Sequence, residues 1–277
     1  VTEPAERLRE MMAAGRRLQA PPAPEGPQVL VVGSGKGGVG KSLVSVLLAT
    51  AVAAQGRRVL LFDADHNLGN LHVLLGVRPV GRIEHLLHGA SPDELVQPVG
   101  DGLWLLPSDS GAEALHGLEA LERARLHHRL TTLYDGYDVV VVDAGAGLEG
   151  VVRMAMLRAS RLVAVTVPEP TALTDAYALM KLVSLQLPEL PIDVIVNRAL
   201  DEADGRQAYE RLAAATERFL RRGIRYLGAI PEDTMVRAAV RDPQHLLELL
   251  SASPAGHAVR ELLSDRIEMP LVARCLA

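Results

Sequence analysis

Seven short apolar runs, nearly unbroken and rich in β-branched residues, limit what this chain can fold into more than any other feature. They are VLVVGS after Gln28, VLLFDA from Val59, LWLLPS from Leu103, VVVVDA from Val139, LVAVTV from Leu162, VIVN from Val194 and YLGAI from Tyr226. A strand with one wet face alternates apolar and polar residues; a run that is apolar throughout reads as covered on both faces. Between the runs the spacing predicts helices over 41–55, 118–134, 149–158, 171–186 and 205–222. Strand then helix, repeated, gives a doubly wound α/β domain, a mostly parallel sheet of about seven to eight strands flanked by helices. The chain's 277 residues suffice for one such domain with an ample core.

That domain is expected over 28–264. Ahead of it, residues 1–18 read as a short amphipathic helix with Ala5, Leu8, Met11, Met12 and Leu18 on one face, and 19–27, with APPAPEGP from Ala20, as an extended spacer. Residues 265–277 are left as a tail.

Composition removes several function classes. Aromatic residues make up only 3%, too few for stacking platforms that bind single-stranded nucleic acid. The net charge of −5 argues against broad DNA binding, and no sequence-specific nucleic-acid binding is expected. The one cysteine, Cys275, builds neither a disulfide framework nor a cluster site. The chain opens with Glu3, Glu6, Arg7 and Arg9 rather than a basic patch and an apolar run, and no stretch approaches the ~18 apolar residues of a bilayer span. A cytoplasmic location is expected.

Directly after the first run stands Gly35-Lys36-Gly37-Gly38-Val39-Gly40-Lys41-Ser42, which satisfies G-x-x-x-x-G-K-[ST] between a predicted strand and a predicted helix. Its glycines let backbone N–H groups turn inward onto a phosphate, and the helix presents its positive N-terminus to the same anion. Lys41 should reach the β- and γ-phosphates and Ser42 should hold Mg²⁺, with Leu43 closing the cradle. The second run ends in Asp63-Ala64-Asp65, followed by His66-Asn67-Leu68-Gly69-Asn70-Leu71. Ligands of open α/β sheets sit at the carboxyl ends of strands, where a carboxylate can orient an attacking water. Asp63 reads as structural or as a helper to the Mg²⁺ shell, and His66 as an exposed loop residue. VVVVD ends at Asp143, the arrangement in which a carboxylate accepts from Mg²⁺-bound water, and Gly145 and Gly147 allow a loop that responds to a γ-phosphate. Asn197-Arg198 closes a later strand. An amide there can read a base edge or simply cap a turn.

Lys36 is not required by an ordinary phosphate loop, and KGGVGKS resembles the deviant Walker A of the MinD/ParA/Mrp/nitrogenase-iron-protein class. The resemblance implies an ATPase using ATP/ADP and Mg²⁺, in which Lys36 reaches across an ATP-dependent homodimer to the partner's nucleotide, like an arginine finger supplied in trans. It implies Asp65 as the residue that positions water, and places Asn197, Arg198, Pro231 and Glu232 around the adenine. The stretch from Pro168 through Glu169-Pro170-Thr171 to Asp175 and Tyr177, together with DAGAG at 143–147, resembles the flagellar-number regulators called FlhG, FleN or YlxH. By that resemblance Glu169 and Asp175 belong to the dimer interface, Asp175 meeting the partner's lysine. Glu3-Pro4-Ala5-Glu6-Arg7-Leu8-Arg9 resembles the DQAxxLR helix that engages an FlhF-type GTPase, with Glu3-Pro4 where Asp-Gln would stand.

The function so implied is a slow ATP-driven dimerisation switch regulating flagellar number or placement, acting on an FlhF-type GTPase and on flagellar transcription or assembly factors. The alternatives are MinD-like placement of the division site, ParA-like DNA partition, which the acidic balance disfavours, and a nucleotide-binding regulator whose hydrolysis is dispensable. The resemblance also implies peripheral association with the inner face of the cell membrane. Here the tail offers a weak anchor: Pro270 interrupts any helix, and Arg266 and Arg274 are its only basic residues after Arg260.

Overall fold

The computed structural model describes residues 26–65, 69–108, 119–145, 156 and 158–266. The N-terminal helix, most of the helix read over 149–158, His66 and the tail beyond Arg266 lie outside the described residues.

The strands are β1 (Gln28–Gly33), β2 (Val59–Ala64), β3 (Gln97–Gly100), β4 (Leu103–Leu106), β5 (Val139–Ala144), β6 (Arg161–Thr166), β7 (Ile192–Ala199) and β8 (Arg225–Pro231). They form one sheet in the order β3-β4-β2-β5-β1-β6-β7-β8. All neighbours pair in parallel except β3 and β4. The eight strands match the upper end of the expected number, and the extra one is the antiparallel edge strand β3, which carries Pro98 where a missing N–H is tolerated.

The unbroken runs are explained by layers on both faces. Alternate residues of β1 point opposite ways: Val29 and Val31 into one core, Leu30 and Val32 into the other. The first core is filled by α4 (Ala120–Tyr134), α5 (Pro170–Gln186) and α6 (Glu202–Leu220), through Leu126, Leu130, Met180, Val183, Ala208 and Leu212. The second is filled by α1 (Lys41–Ala53), α8 (Leu246–Ala252) and α9 (Pro254–Arg266), through Val44, Leu48, Val52, Leu246, Leu250 and Val259. Three further helices, α2 (Leu71–Leu74), α3 (Pro92–Leu95) and α7 (Thr234–Arg241), lie in the connections. Helix α9 runs through Arg266, two residues past the expected end of the domain at 264. No helix among the described residues is long and apolar enough to cross a membrane.

Two features of this frame position a site. The chain leaves β1 for β2 on one side and returns from β5 to β6 on the other, so a crevice opens at the carboxyl end of β1, where ligands of doubly wound sheets bind. At the opposite end, Asp193 on β7 is buried between Arg161 of β6 (2.7 Å) and Arg225 of β8 (2.8 Å to each carboxylate oxygen). That buried group holds three strands in register, far from the crevice.

Candidate functional site

The loop from Gly35 to Ser42 links β1 to α1 across this crevice. Gly40 supplies the turn into the helix with φ of 88°, and a side chain there would meet the Asn197 amide nitrogen at 2.4 Å. Gly35 packs so closely on the backbone of α5 that a Cβ would fall 1.9 Å from the Asp175 carbonyl oxygen. Gly37 and Gly38 face open space. The loop is therefore clamped at both ends and free in the middle, as a cradle for an anion must be.

Lys41 turns inward. Its Nζ donates to Asp143 Oδ1 at 2.9 Å, and Asp65 Oδ2 lies 4.0 Å away. Ser45, one helical turn after Lys41, donates its hydroxyl to the same Asp143 oxygen at 2.7 Å. Asp63, at the end of β2 beside Asp143, is fully buried, with Oδ1 accepting from the Asp65 N–H and Oδ2 from the Leu71 N–H. Burial, and then the charge of Asp143, push its carboxyl up to about 7, against the pull of those two amides and of Lys41. Asp63 thus anchors the segment that carries Asp65. Gly69 sits in the same segment, and a Cβ there would lie 2.6 Å from the buried hydroxyl of Ser108.

Three carboxylates gather around one ammonium, an arrangement short of positive charge. No group of three or more His, Cys, Asp or Glu among the described residues could by itself hold a metal ion. Mg²⁺ is the cation that such a site suits, because it is held through one or two carboxylates with waters and substrate phosphates completing its shell. The residues fit that role: Asp143 and Ser42 stand at the cradle, and Lys41 can leave Asp143 for a phosphate.

Two adjoining cavities open here. One, of about 630 Å³, lies over the cradle and is lined by Gly37, Lys41, Ser42, Asp65 and, on its outer wall, Val73 and Val240. The other, of about 230 Å³, is lined by Leu43, Asn197, Ile230, Pro231, Glu232 and Val236. Gly40, Leu43 and Arg198 border both. The first holds the ammonium of Lys41 and the carboxylate of Asp65, and the second mixes apolar side chains, Leu43, Ile230 and Val236, with polar ones, Asn197, Asp233 and Arg237. Asn197 is buried and donates to the Val39 carbonyl at 2.8 Å, tying β7 to the loop. Arg198 adopts a left-handed backbone with φ of 55°. Glu232 pairs with Arg237 at the rim.

The structure thus brings together the loop, Asp63, Asp65 and Asp143 in one cluster, and Asn197, Arg198, Pro231 and Glu232 in an adjoining one. Glu169, which caps α5, and Asp175, in its second turn, lie against the near end of the loop, beside Lys36 and Gly35. Within the protomer, Lys36 donates to Glu169 Oε2 and Thr171 Oγ1, both at 3.3 Å. Sequence reasoning passed over Ser45, although the Lys41-to-Ser45 spacing of four residues puts both on one helix face. It also passed over Asp233, whose oxygens accept from Met235 N and Ala255 N and so fix the wall of the smaller cavity.

Fold and loop together define a P-loop nucleotide-binding protein. A profile of the CobQ/CobB/MinD/ParA nucleotide binding domain matches residues 30–246. The antiactivator FleN of Pseudomonas aeruginosa is 36% identical over 247 residues, 89% of this chain and 88% of FleN. The flagellum site-determining protein YlxH of Helicobacter pylori is 36% identical over 252 residues, 87% of this chain and 85% of YlxH. Among solved structures, the septum site-determining protein MinD complexed with Mg-ADP from Pyrococcus horikoshii superposes with a TM-score of 0.70 at 25% identity, over 87% of this chain and 96% of that one. The chain belongs to the MinD/ParA family of nucleotide-binding proteins and is an ATPase of that family.

Proposed function

We propose that this chain is a slow, Mg²⁺-dependent ATPase that works as a dimerisation switch regulating flagellar number or placement. The observation that carries this reading is the 36% identity to FleN and YlxH across nearly the whole of both partners in each comparison. The MinD of Thermotoga maritima, by contrast, aligns at 34% identity over 61% of this chain. Division-site placement is therefore the second reading, with the same site chemistry.

The residues divide the work as follows. Backbone N–H groups of the loop and the N-terminus of α1 bind the phosphates. Lys41 transfers its ammonium from Asp143 and Asp65 to the β- and γ-phosphates. Ser42 and Asp143, with Asp63 behind them, would hold Mg²⁺, which when bound neutralises charge on the phosphate oxygens. Asp65, freed from Lys41, orients the attacking water. Asn197, Arg198, Pro231 and Glu232 enclose the base. Lys36 leaves Glu169 for the partner's nucleotide, and Asp175 receives the partner's Lys36. The dimer so formed presents a new binding face, and hydrolysis dissolves it. The N-terminal segment engages an FlhF-type GTPase, and the dimer face a flagellar transcription or assembly factor. Location is cytoplasmic, with the C-terminal tail supplying at most a weak contact to the inner face of the membrane.

Size-exclusion chromatography with ATP and with ADP tests the switch. Wild type should become dimeric with ATP only, and Lys36→Ala should stay monomeric. Asp65→Ala should lose turnover and remain dimeric with ATP. A Lys36→Ala variant that dimerises like wild type would remove the trans lysine, and an Asp65→Ala variant of normal turnover would remove the assigned water-positioning residue. Deleting the gene should change flagellar count while septa stay at their normal position; the reverse outcome selects the second reading.

A further inference from the structure

We infer that Ser45 is a positioning residue for the Mg²⁺ site: its hydroxyl holds the carboxylate of Asp143 in place once Lys41 has moved to the phosphates. The inference rests on the reading of the site as a Mg²⁺–nucleotide site, and concerns a residue outside the loop motif.

Ser45 is completely buried on the first turn and a half of α1. Its Oγ lies 2.7 Å from Asp143 Oδ1 and 3.1 Å from the carbonyl oxygen of Lys41. A hydroxyl has one proton, and the shorter contact to an ionised oxygen takes it, since hydrogen bonds to charged acceptors are roughly twice as strong as neutral ones. Asp143 Oδ1 receives a second donor, Lys41 Nζ at 2.9 Å. The two donors differ in one respect. The lysine side chain is long and is required by the phosphates, whereas the Ser45 hydroxyl turns about a single rotatable bond and cannot follow the nucleotide. When Lys41 departs, Oδ1 keeps Ser45, and the carboxylate keeps its orientation. Without the hydroxyl, a buried carboxylate would lose its remaining fixed donor at the moment the cation arrives, and would have to reorient to meet it.

Groups that orient the ligands of a metal set its affinity by about 10- to 100-fold. Removing the hydroxyl should therefore appear in the Mg²⁺ dependence and not in nucleotide binding as such. The helix itself tolerates the change, because alanine is a better helix former than serine. Thr50, on the same helix, has a buried hydroxyl without a hydrogen-bond partner, and serves as a control for the loss of a hydroxyl that holds nothing.

The test is the affinity for a fluorescent ADP analogue titrated with Mg²⁺, in wild type, Ser45→Ala, Ser45→Thr and Thr50→Ala. In wild type, Mg²⁺ should tighten binding. In Ser45→Ala the Mg²⁺ concentration giving half of that effect should rise roughly tenfold, with the Mg²⁺-free affinity within twofold of wild type. Ser45→Thr should restore the midpoint, and Thr50→Ala should leave it unchanged. A Ser45→Ala midpoint equal to wild type overturns the inference. So does an equal loss of affinity with and without Mg²⁺, which would mean that the loop had been distorted. A wild type whose ADP binding ignores Mg²⁺ overturns the reading of the site itself, and this inference with it.

Discussion

Gly40 and Asn197 meet at the join between the two cavities, and their contact yields a prediction with a worked size. Gly40 has φ of 88°, and a Cβ placed on it would lie 2.4 Å from the Asn197 amide nitrogen. Gly40→Ala therefore carries two costs. Holding an L-residue in the left-handed region costs roughly 1–2 kcal/mol. Displacing the Asn197 side chain breaks its buried bond to the Val39 carbonyl, which costs about 1–3 kcal/mol when the acceptor is left unpaired. Together these destabilise the domain by about 2–5 kcal/mol, a fall in Tm of roughly 5–15 °C for a domain of this size. Asn197→Ala alone incurs only the second cost. In the double variant the clash is gone and the bond is lost once, not twice, so the loss should be close to that of Gly40→Ala alone. The coupling energy from chemical denaturation of the four proteins should then be about 1–3 kcal/mol, in the direction of less than additive loss. Strict additivity would refute the claim that the asparagine fills the space above the glycine.

Asp63 carries a prediction on pH. Its folded-state value near 7 is above the ordinary carboxylate value of 3.8, so keeping it ionised opposes folding. That penalty is absent below the unfolded value, grows as pH rises between the two, and is complete above about 7. In nucleotide- and Mg²⁺-free melts, the stability of Asp63→Asn relative to wild type should therefore shift in the variant's favour from pH 5 to pH 8, whatever its starting offset. A difference that does not vary with pH would contradict the burial argument. Arg198 holds φ of 55° while its side chain borders both cavities. Arg198→Asn places a residue that tolerates this backbone and should raise stability by up to about 1 kcal/mol while weakening ADP binding; equal or lower stability would show that the backbone there stores no strain.

How much of this was legible in the sequence depended on whether the signal was local. The seven parallel strands could be read because burial on both faces leaves a run with no polar interruption, and the anion cradle because its glycines, lysine and serine are consecutive. Strand β3 has four residues, two of them Pro98 and Gly100, and exists because β4 offers an edge. The C-terminal helices went unread because Pro243 and Pro254 break the stretch into short pieces whose apolar residues, such as Leu246, Leu250 and Val259, make one stripe only when laid against α1. Ser45 escaped because its partner is 98 residues away. Lys36 shows the limit best. Its resemblance to the family points it at a neighbouring copy, yet within the chain it rests on Glu169 and Thr171, more than 130 residues on, where no local pattern could have placed it. Both partners of that ion pair are well exposed, at 40% and 62% for the side chains. Exposed pairs of this kind contribute at most about 1 kcal/mol. A lysine held so loosely meets little opposition to moving, which is what the proposed loan to an adjacent site requires.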